Sequence, residues 1–183
     1  MNFYISDLHL GHKNCLKFDS RPFKDLDEMH KVIVDNWNCV VSDEDTVYIL
    51  GDIAWKTKVA LEILPQLKGK KVLIRGNHDK NLNKEIEKFF VNIYDYLEAI
   101  DGDEKIILSH YPFAHWDKQE YGRIHLYGHI HEGRESRPFE RYTKIMREEL
   151  NNPYRCYNVG CMKSYMDYTP RTLKYFVDEV YVY

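Results

Sequence analysis

The sequence has little of what marks membrane, secreted and disulfide-rich proteins. No apolar run approaches the roughly 18 residues of a membrane span. The N-terminus runs from Met1 to Asp7 without the apolar stretch of a signal peptide. The four cysteines show no Cys-x-x-Cys spacing, which favours reduced thiols over a disulfide framework. We therefore expect a cytoplasmic protein that does not contact a membrane.

Basic residues are not in excess either. The 183 residues carry a net charge of −3, whereas a protein that holds long nucleic acid by electrostatics alone usually has a basic surplus. Nucleic acid is therefore a disfavoured partner, although a local basic patch is compatible with the composition. The chain has neither internal repeats nor a linker, and its length suits a single domain over residues 1–183.

Short apolar runs and helical periodicities alternate along the chain. Apolar residues three and four positions apart predict a helix over residues 25–41, and shorter helices are predicted at 58–64 and 83–90. Runs of β-branched and apolar residues predict strands at 3–5, 46–50, 71–74, 105–108, 124–127, 157–160 and 173–177. This alternation predicts an α/β layered fold.

Residues 134–155 form the least regular stretch of the chain. They carry many charges and two prolines, Pro138 and Pro153, with a helix predicted at 139–150. We interpret them as an insertion in the domain that lies over or beside the functional site, with a surface excursion as an equal alternative.

Potential metal ligands follow five of the predicted strands, at the point where each strand ends. In open α/β sheets ligands bind outside the carboxyl ends of the strands, so these side chains are expected to meet. The pair Asp7 and His9 shares one face of an extended chain, because strand periodicity is two. The full set is Asp7, His9, Asp52, Asn77, His110, His129 and His131.

These side chains suit borderline divalent ions. Imidazole, carboxylate and amide oxygen together favour Mn, Fe, Co, Ni or Zn, and the absence of cysteine from the set argues against a structural zinc site. Seven ligands are too many for one tetrahedral ion, but they suit two ions that share a bridging carboxylate. Two metals about 3.5–4 Å apart are a recurrent device for displacement at phosphorus.

The order of these motifs resembles a known family. The series Asp-x-His, Gly-Asp, Gly-Asn-His-Asp, His and Gly-His-x-His, which runs from Phe3 to about Gly160, is similar to the calcineurin-like metallophosphoesterases. The segments at 6–12 and 127–131 look like the small bacterial and phage members. The resemblance implies an α/β fold of two β-sheets in a sandwich flanked by helices, with a dinuclear site at one rim.

The resemblance also implies a role for each residue. Asp7, His9 and His131 would hold the first metal, and Asn77, His110 and His129 would hold the second. Asp52 would bridge both ions. His78 would stabilise the transition state or protonate the leaving oxygen. The cofactors would be two divalent ions, with manganese favoured and iron, nickel or zinc as alternatives.

The sequence departs from one branch of the family. In the protein Ser/Thr phosphatases the second motif continues Gly-Asp-x-x-Asp-Arg, whereas here Gly51-Asp52 continues Ile-Ala-Trp-Lys, which disfavours a protein phosphatase. Asp79 is not assumed to orient His78, because neighbours in an extended chain point apart.

Four histidines have no role in the predicted metal centre: His12, His30, His115 and His125. His12 is expected either to line the substrate pocket or to be simply exposed. His30 is expected to be exposed beside the apolar face of its helix, and His115 and His125 are expected to be structural.

Three functions remain in order of preference. The first is a metal-dependent phosphoesterase in which a metal-activated hydroxide attacks small phosphodiesters, with cyclic nucleotides favoured and monoesters as a further substrate. The second is a nuclease that uses the basic residues of the insertion: Arg134, Arg137, Arg141, Lys144, Arg147 and Arg155. The third is a non-enzymatic scaffold, which the intact ligand set disfavours.

Overall fold

The computed structural model describes residues 1–80, 82–134, 136–149 and 154–180. Within these ranges the strands are β1 Asn2–Ile5, β2 Thr46–Ile49, β3 Lys70–Ile74, β4 Asn92–Tyr94, β5 Tyr96–Asp101, β6 Glu104–Ser109, β7 Ile124–Tyr127, β8 Cys156–Asn158 and β9 Arg171–Thr172. The α-helices are α1 Cys15–Phe18, α2 Leu26–Val40, α3 Thr57–Ile63, α4 Lys84–Glu87, α5 Ser136–Glu149 and α6 Leu173–Glu179.

The strands form two mixed sheets. The first has the order β4-β3-β2-β1-β9, and the second has the order β5-β6-β7-β8. In each sheet one edge strand, β9 or β5, is antiparallel to its neighbour, and the other strands are parallel. The sheets meet where the Ser6 amide donates to the Val159 carbonyl at 2.9 Å. This arrangement confirms the fold class predicted from the sequence, two sheets flanked by helices.

One apolar core joins the two sheets. Alternate residues of β6 and β7, such as Leu108 and Leu126, belong to the same buried cluster as the strands of the first sheet. Helix α2 adds Met29, Ile33 and Trp37 to this core. Since parallel strands buried on both faces read as continuous apolar runs, the core also explains why these strands were recognisable from sequence.

One predicted element has the wrong type, one predicted helix is too long, and two strands were not predicted. Residues 173–177 form helix α6 and not a strand, because the Thr172 side chain caps its first turn and Leu173, Phe176 and Val180 are buried at helical spacing. The helix predicted at 83–90 is the single turn α4. The chain then forms the unpredicted strands β4 and β5.

Helix α5 accounts for most of the segment interpreted as an insertion. It packs against the face of the second sheet that points away from the main core, where Phe139 meets the Tyr127 ring edge to face at 5.5 Å. The predicted end of this helix, Leu150, lies outside the described residues. The described part of the segment therefore lies beside the second sheet, and of its described residues Arg134 alone lines the cavity described below.

His30 is buried, and its Nε2 accepts a hydrogen bond from the Gly11 amide at 3.1 Å. The expected exposure of His30 was therefore wrong.

Among the helices of the described residues, none combines the length and the apolar character needed to cross a membrane.

Candidate metal centre

The ligand loops leave the carboxyl ends of β1, β2, β3, β6 and β7, as the sequence predicted. Four of the residues concerned have a positive φ that non-glycine residues seldom adopt: Asp7 at 59°, His9 at 50°, Asp52 at 53° and His129 at 67°. Hydrogen bonds across the loops hold this backbone, since the Asp7 amide donates to Gly51 O and the His9 amide donates to Asp52 O, both at 3.0 Å. Strained backbone of this kind is common at functional sites.

Glycine is required where two of the loops cross. A Cβ atom on Gly76 would lie 2.2 Å from Asp52 Oδ1, and one on Gly51 would lie 2.4 Å from His110 Nδ1. The side chains of Asp52 and His110 therefore occupy space that any other residue at these positions would fill.

The first cluster of predicted ligands comprises Asp7, His9 and His131. His9 Nε2 lies 3.2 Å from His131 Nε2, and His131 Nε2 lies 3.3 Å from Asp7 Oδ1. The three ligand atoms all lie within 4.8 Å of one another. This spacing allows one ion to contact all three.

The second cluster comprises Asp52, His110 and His129, whose ligand atoms also lie within 4.8 Å of one another. Asn77 joins it, because its Oδ1 lies 3.0 Å from His110 Nε2. His110 Nδ1 is 2.8 Å from the Leu50 carbonyl oxygen. Because a carbonyl oxygen only accepts, Nδ1 donates to it, and Nε2 is the nitrogen that faces the cluster.

Asp52 lies between the two clusters. Its Oδ2 is 3.7 Å from His9 Nε2 in the first cluster and 3.6 Å from His110 Nε2 in the second. Its Oδ1 accepts a hydrogen bond from the His78 amide at 3.0 Å. The structure thus brings the seven ligands predicted from the sequence to one place, with one carboxylate in the middle.

A buried acid that the sequence prediction missed fixes His131. Asp19 Oδ1 is 2.7 Å from His131 Nδ1, and Asp19 pairs in turn with Arg21 at 2.9 Å. The Arg21 guanidinium also donates to the carbonyl oxygens of Asp7 at 2.8 Å and Leu8 at 3.1 Å. A carboxylate behind a metal-binding histidine orients the ring and raises its basicity. No local sequence signal identifies Asp19, because 112 residues separate it from His131.

Burial and charge set the protonation of the first cluster. Burial lowers the pKa of His9 to about 3, so its ring is neutral near pH 7. Burial acts to lower the pKa of His131, but its hydrogen bonds to Asp19 and Asp7 prevail and raise that pKa to about 10. Burial alone would raise the pKa of Asp7, but the hydrogen bond and charge of His131 hold it below its usual range. A cation bound among these groups would replace the proton on His131.

The residues present fit divalent ions. Histidine nitrogens, carboxylate oxygens and the Asn77 amide oxygen converge on the two clusters. Nitrogens that face each other at 3.2 Å, as in His9 and His131, need a proton or a cation between them. A donor set of this kind matches borderline divalent metals.

His78 stands at the edge of the site. Its side chain is 36% exposed, and its Nε2 lies 3.8 Å from Asp52 Oδ2. Asp79 does not serve His78. It is buried and accepts hydrogen bonds from the amides of Asp52 at 2.7 Å and Gly76 at 2.9 Å, which ties two ligand loops together.

A cavity of about 520 Å³ opens beside the two clusters. His12 lines this cavity, which was the first of the two alternatives expected for it from the sequence. The His12 ring stacks on the Trp55 ring, with centroids 4.1 Å apart. Trp55 and Phe18 were not predicted as site residues. The lining comprises His9, His12, Phe18, Asp19, Asp52, Trp55, Asn77, His78, His129, His131, Glu132, Gly133 and Arg134.

The two histidines expected to be structural lie away from the cavity. His125 is buried, with its Nε2 2.9 Å from Ser109 Oγ and its ring stacked on Phe113 at 5.1 Å. His115 lies 3.4 Å from the Tyr142 hydroxyl. Asn158, also missed from sequence, supports the site by donating to the Ile130 carbonyl at 2.7 Å, between His129 and His131.

Comparison with known proteins places the chain among relatives. A sequence model of the calcineurin-like phosphoesterases matches residues 3–156. An uncharacterised protein of Methanocaldococcus jannaschii is 41% identical over 132 residues, which cover 70% of this chain and 68% of that protein. The gene 66 protein of Mycobacterium phage D29 is 29% identical over 179 residues, covering 82% and 83%.

A solved structure extends the likeness to the fold. The crystal structure of a protein of unknown function from Aquifex aeolicus superposes with a TM-score of 0.69 at 30% identity, and the match covers 93% of this chain and 94% of that one. The family match spans the loops that carry both ligand clusters. The chain therefore belongs to the calcineurin-like phosphoesterase family, whose members are metal-dependent and act on phosphoesters.

Proposed function

We propose that this protein is a phosphodiesterase that uses two divalent metal ions, with monoesters as a lesser substrate. The position of Asp52 supports this proposal most directly. Its Oδ2 lies 3.7 Å from a histidine of one cluster and 3.6 Å from a histidine of the other. One carboxylate at nearly equal distance from two groups of nitrogens suits a shared ligand between two ions.

The ligands divide by cluster. Asp7, His9 and His131 would hold one ion, Asn77, His110 and His129 would hold the other, and Asp52 would contact both. When bound, two such ions lower the pKa of a water and offset the negative charge of the phosphoryl group. Manganese is the ion we propose to test first, because this donor set accepts several metals and does not select one.

His78 would handle the proton of the leaving group. Hydrolysis of a diester forms one P–O bond to water and breaks one P–O bond to an alcohol, which must gain a proton as it leaves. The His78 ring is partly exposed beside Asp52, within reach of a phosphate over the two clusters. The ring centroids of Trp55 and His78 are 5.0 Å apart, and both residues line the cavity.

Charge in the cavity favours diesters over monoesters. A phosphomonoester carries close to two negative charges near pH 7, and a diester carries one. Arg134 is the one lysine or arginine among the described residues that line the cavity, so the side chains there offer little fixed positive charge to balance a second negative charge. The open cavity also leaves room for substituents on both sides of the phosphorus.

The nuclease alternative loses some of the residues on which it depended. Arg155 pairs with Glu104 at 2.7 Å, and Arg147 donates to the carbonyls of Tyr154 and Cys156. These two side chains therefore support the second sheet. Arg134 remains at the cavity, so the alternative survives in a weaker form.

The test is metal removal followed by reconstitution. Protein stripped with a chelator should lose hydrolysis of bis(4-nitrophenyl) phosphate and regain it with Mn²⁺, and calorimetric titration should find two ions bound per chain. The same protein must give an unchanged far-UV circular dichroism spectrum throughout. Folded protein that binds one ion or none, and hydrolyses no diester with Mn²⁺, Fe²⁺, Ni²⁺ or Zn²⁺, would overturn the proposal in favour of a scaffold.

A further inference from the structure

We propose that Trp55, Phe18 and His12 form a platform that stacks on a nucleobase, so that the substrate of the metal centre is a nucleoside phosphodiester. This inference rests on the proposed function and names its substrate class. The platform, defined by these three rings, belongs to two loops and the short helix α1, none of which supplies a base-reading motif from sequence.

The three rings form a row along one wall of the cavity. The His12 and Trp55 rings are nearly parallel, 9° apart, with centroids separated by 4.1 Å. The Phe18 ring is the third member, and its centroid lies 5.4 Å from that of His12. The row ends at the site itself, since Phe18 lies 5.7 Å from the His131 ring and Trp55 lies 5.0 Å from the His78 ring.

The outer rings of the platform are unusually exposed. Trp55 is 51% exposed and Phe18 is 50% exposed, although folding usually removes such apolar surface from water. The other two tryptophans, Trp37 and Trp116, are buried. Single exposed aromatic residues are ordinary, but two that line the same cavity beside a metal cluster point to a ligand with a flat apolar part.

A nucleobase fits this wall better than a simple alkyl group. Every base presents a π-face, and stacking on aromatic side chains is a general, sequence-tolerant means of holding it. Trp55 lies beside His78 and Phe18 lies beside His131, so a flat group stacked on either ring would lie next to a phosphate held over the clusters. A nucleoside phosphodiester has that order of parts.

Charges next to the rings suit the same ligand. Each ring of the platform has a lysine as its sequence neighbour: Lys13 follows His12, Lys17 precedes Phe18 and Lys56 follows Trp55. All three lysines are exposed. None of the three lines the cavity, so their charge would act on phosphates outside it, as in an oligonucleotide, whereas a mononucleotide would occupy the cavity alone.

The first experiment compares two chromogenic substrates that differ only in the base. These are the 4-nitrophenyl ester of thymidine 5′-monophosphate and the corresponding ester of abasic deoxyribose 5-phosphate, both with the Mn²⁺-loaded protein. We expect kcat/KM to be about 10-fold higher with the base, in line with one stacking contact. Trp55→Leu should remove most of that preference, and Trp55→Phe should keep most of it.

Tyr121→Leu is the matched control, because Tyr121 is 80% exposed and does not line the cavity. It should leave the preference for the base unchanged. A wild-type protein that hydrolyses both esters equally well, or a Trp55→Leu variant that keeps the full preference, would overturn the platform.

The second experiment does not depend on turnover. Trp55 is the exposed member of the three tryptophans, so thymidine 5′-monophosphate stacked on it should quench the intrinsic fluorescence of metal-loaded protein. Deoxyribose 5-phosphate should not quench it, and Trp55→Phe should abolish the response. Quenching without hydrolysis would refute the proposed function and keep the platform, whereas hydrolysis without base preference or quenching would refute the platform alone.

A third arm separates the two sources of the nucleoside phosphate. Binding of a thymidine octanucleotide is compared with binding of the mononucleotide, in the wild type and in the triple variant Lys13→Gln, Lys17→Gln and Lys56→Gln. Tighter, salt-sensitive binding of the octanucleotide that the triple variant loses would identify an oligonucleotide. Equal affinity for both ligands would identify the mononucleotide, and the platform is supported in either case.

Discussion

His9 and His125 are both buried histidines, yet only one belongs to the candidate site. Burial lowers the pKa of each to about 3. His125 has partners at both nitrogens, Ser109 Oγ at 2.9 Å and Cys156 Sγ at 3.6 Å, and aromatic rings around it. His9 has a buried Nδ1 without a partner, and its Nε2 faces another imidazole nitrogen.

The comparison separates burial from function. Desolvation is enough to lower the pKa of a buried histidine, as it does at His125, so a lowered pKa does not by itself mark a site. Around His9 the other groups of the first cluster are the Asp7 carboxylate and the protonated His131 ring, whose Nε2 lies 3.2 Å from His9 Nε2. We therefore expect a cation to bind beside His9 in exchange for the proton on His131, whereas His125 is already paired at both nitrogens.

Removal of the shared carboxylate should break this distinction most severely. Asp52→Asn takes a negative charge from both clusters at once, so diester hydrolysis should fall by at least about 1,000-fold, because the metals supply several kcal/mol of transition-state stabilisation. Calorimetric titration should show that at least one of the two ions no longer binds. Asp35→Asn, an exposed surface change on α2, should leave both readouts unchanged.

The buried pair behind His131 should matter for folding. Arg21→Met removes the cation that faces Asp19 and leaves a buried carboxylate with one fewer partner, so the free energy of unfolding should fall by about 3–5 kcal/mol. Urea denaturation of the metal-free protein would measure this change. Equal stability of Arg21→Met and the wild type would show that His131 alone satisfies Asp19.

Asp19 should influence the first cluster more than the second. Asp19→Asn keeps an oxygen near His131 Nδ1 but removes the charge that makes the ring basic, so Mn²⁺ affinity at one of the two sites should weaken about 10–100-fold. The other site should bind as before, because a backbone carbonyl orients His110. Calorimetry with two resolved sites measures both. A uniform loss at both sites would point to general damage and count against the role of Asp19.

Burial of His125, which belongs to neither metal cluster, should make the free energy of unfolding depend on pH. Its pKa is about 3 when folded and near 6.5 when unfolded. The unfolded chain therefore binds more protons between these values. Stability that is fully present above pH 6.5 is lost as the pH falls towards 3, with a loss of about 2 kcal/mol at pH 5. His125→Gln should flatten this acid limb in urea denaturation between pH 7 and 5. An unchanged slope would mean that other groups dominate it.

The sequence alone was enough to predict which side chains gather at the strand ends. Asp7, Asp52 and Asn77 could be assigned to strand ends because apolar runs before them are short and stop abruptly, and local patterns report such boundaries. Helix α2 was equally accessible, since its apolar residues recur at helical spacing. The types of ligand and their order along the chain then indicated two ions.

Tertiary structure decided the rest. The contacts of Asp19 with His131, of Trp55 with His12 and of His30 with Gly11 join residues that no local pattern relates. Residues 173–177 became a helix because its buried face and cap outweighed strand propensity. The sequence by itself determined which ligands are available and roughly where each strand releases them. The packing of two sheets determined which side chains support those ligands and which aromatic rings border the cavity, because both depend on contacts between residues far apart in the chain.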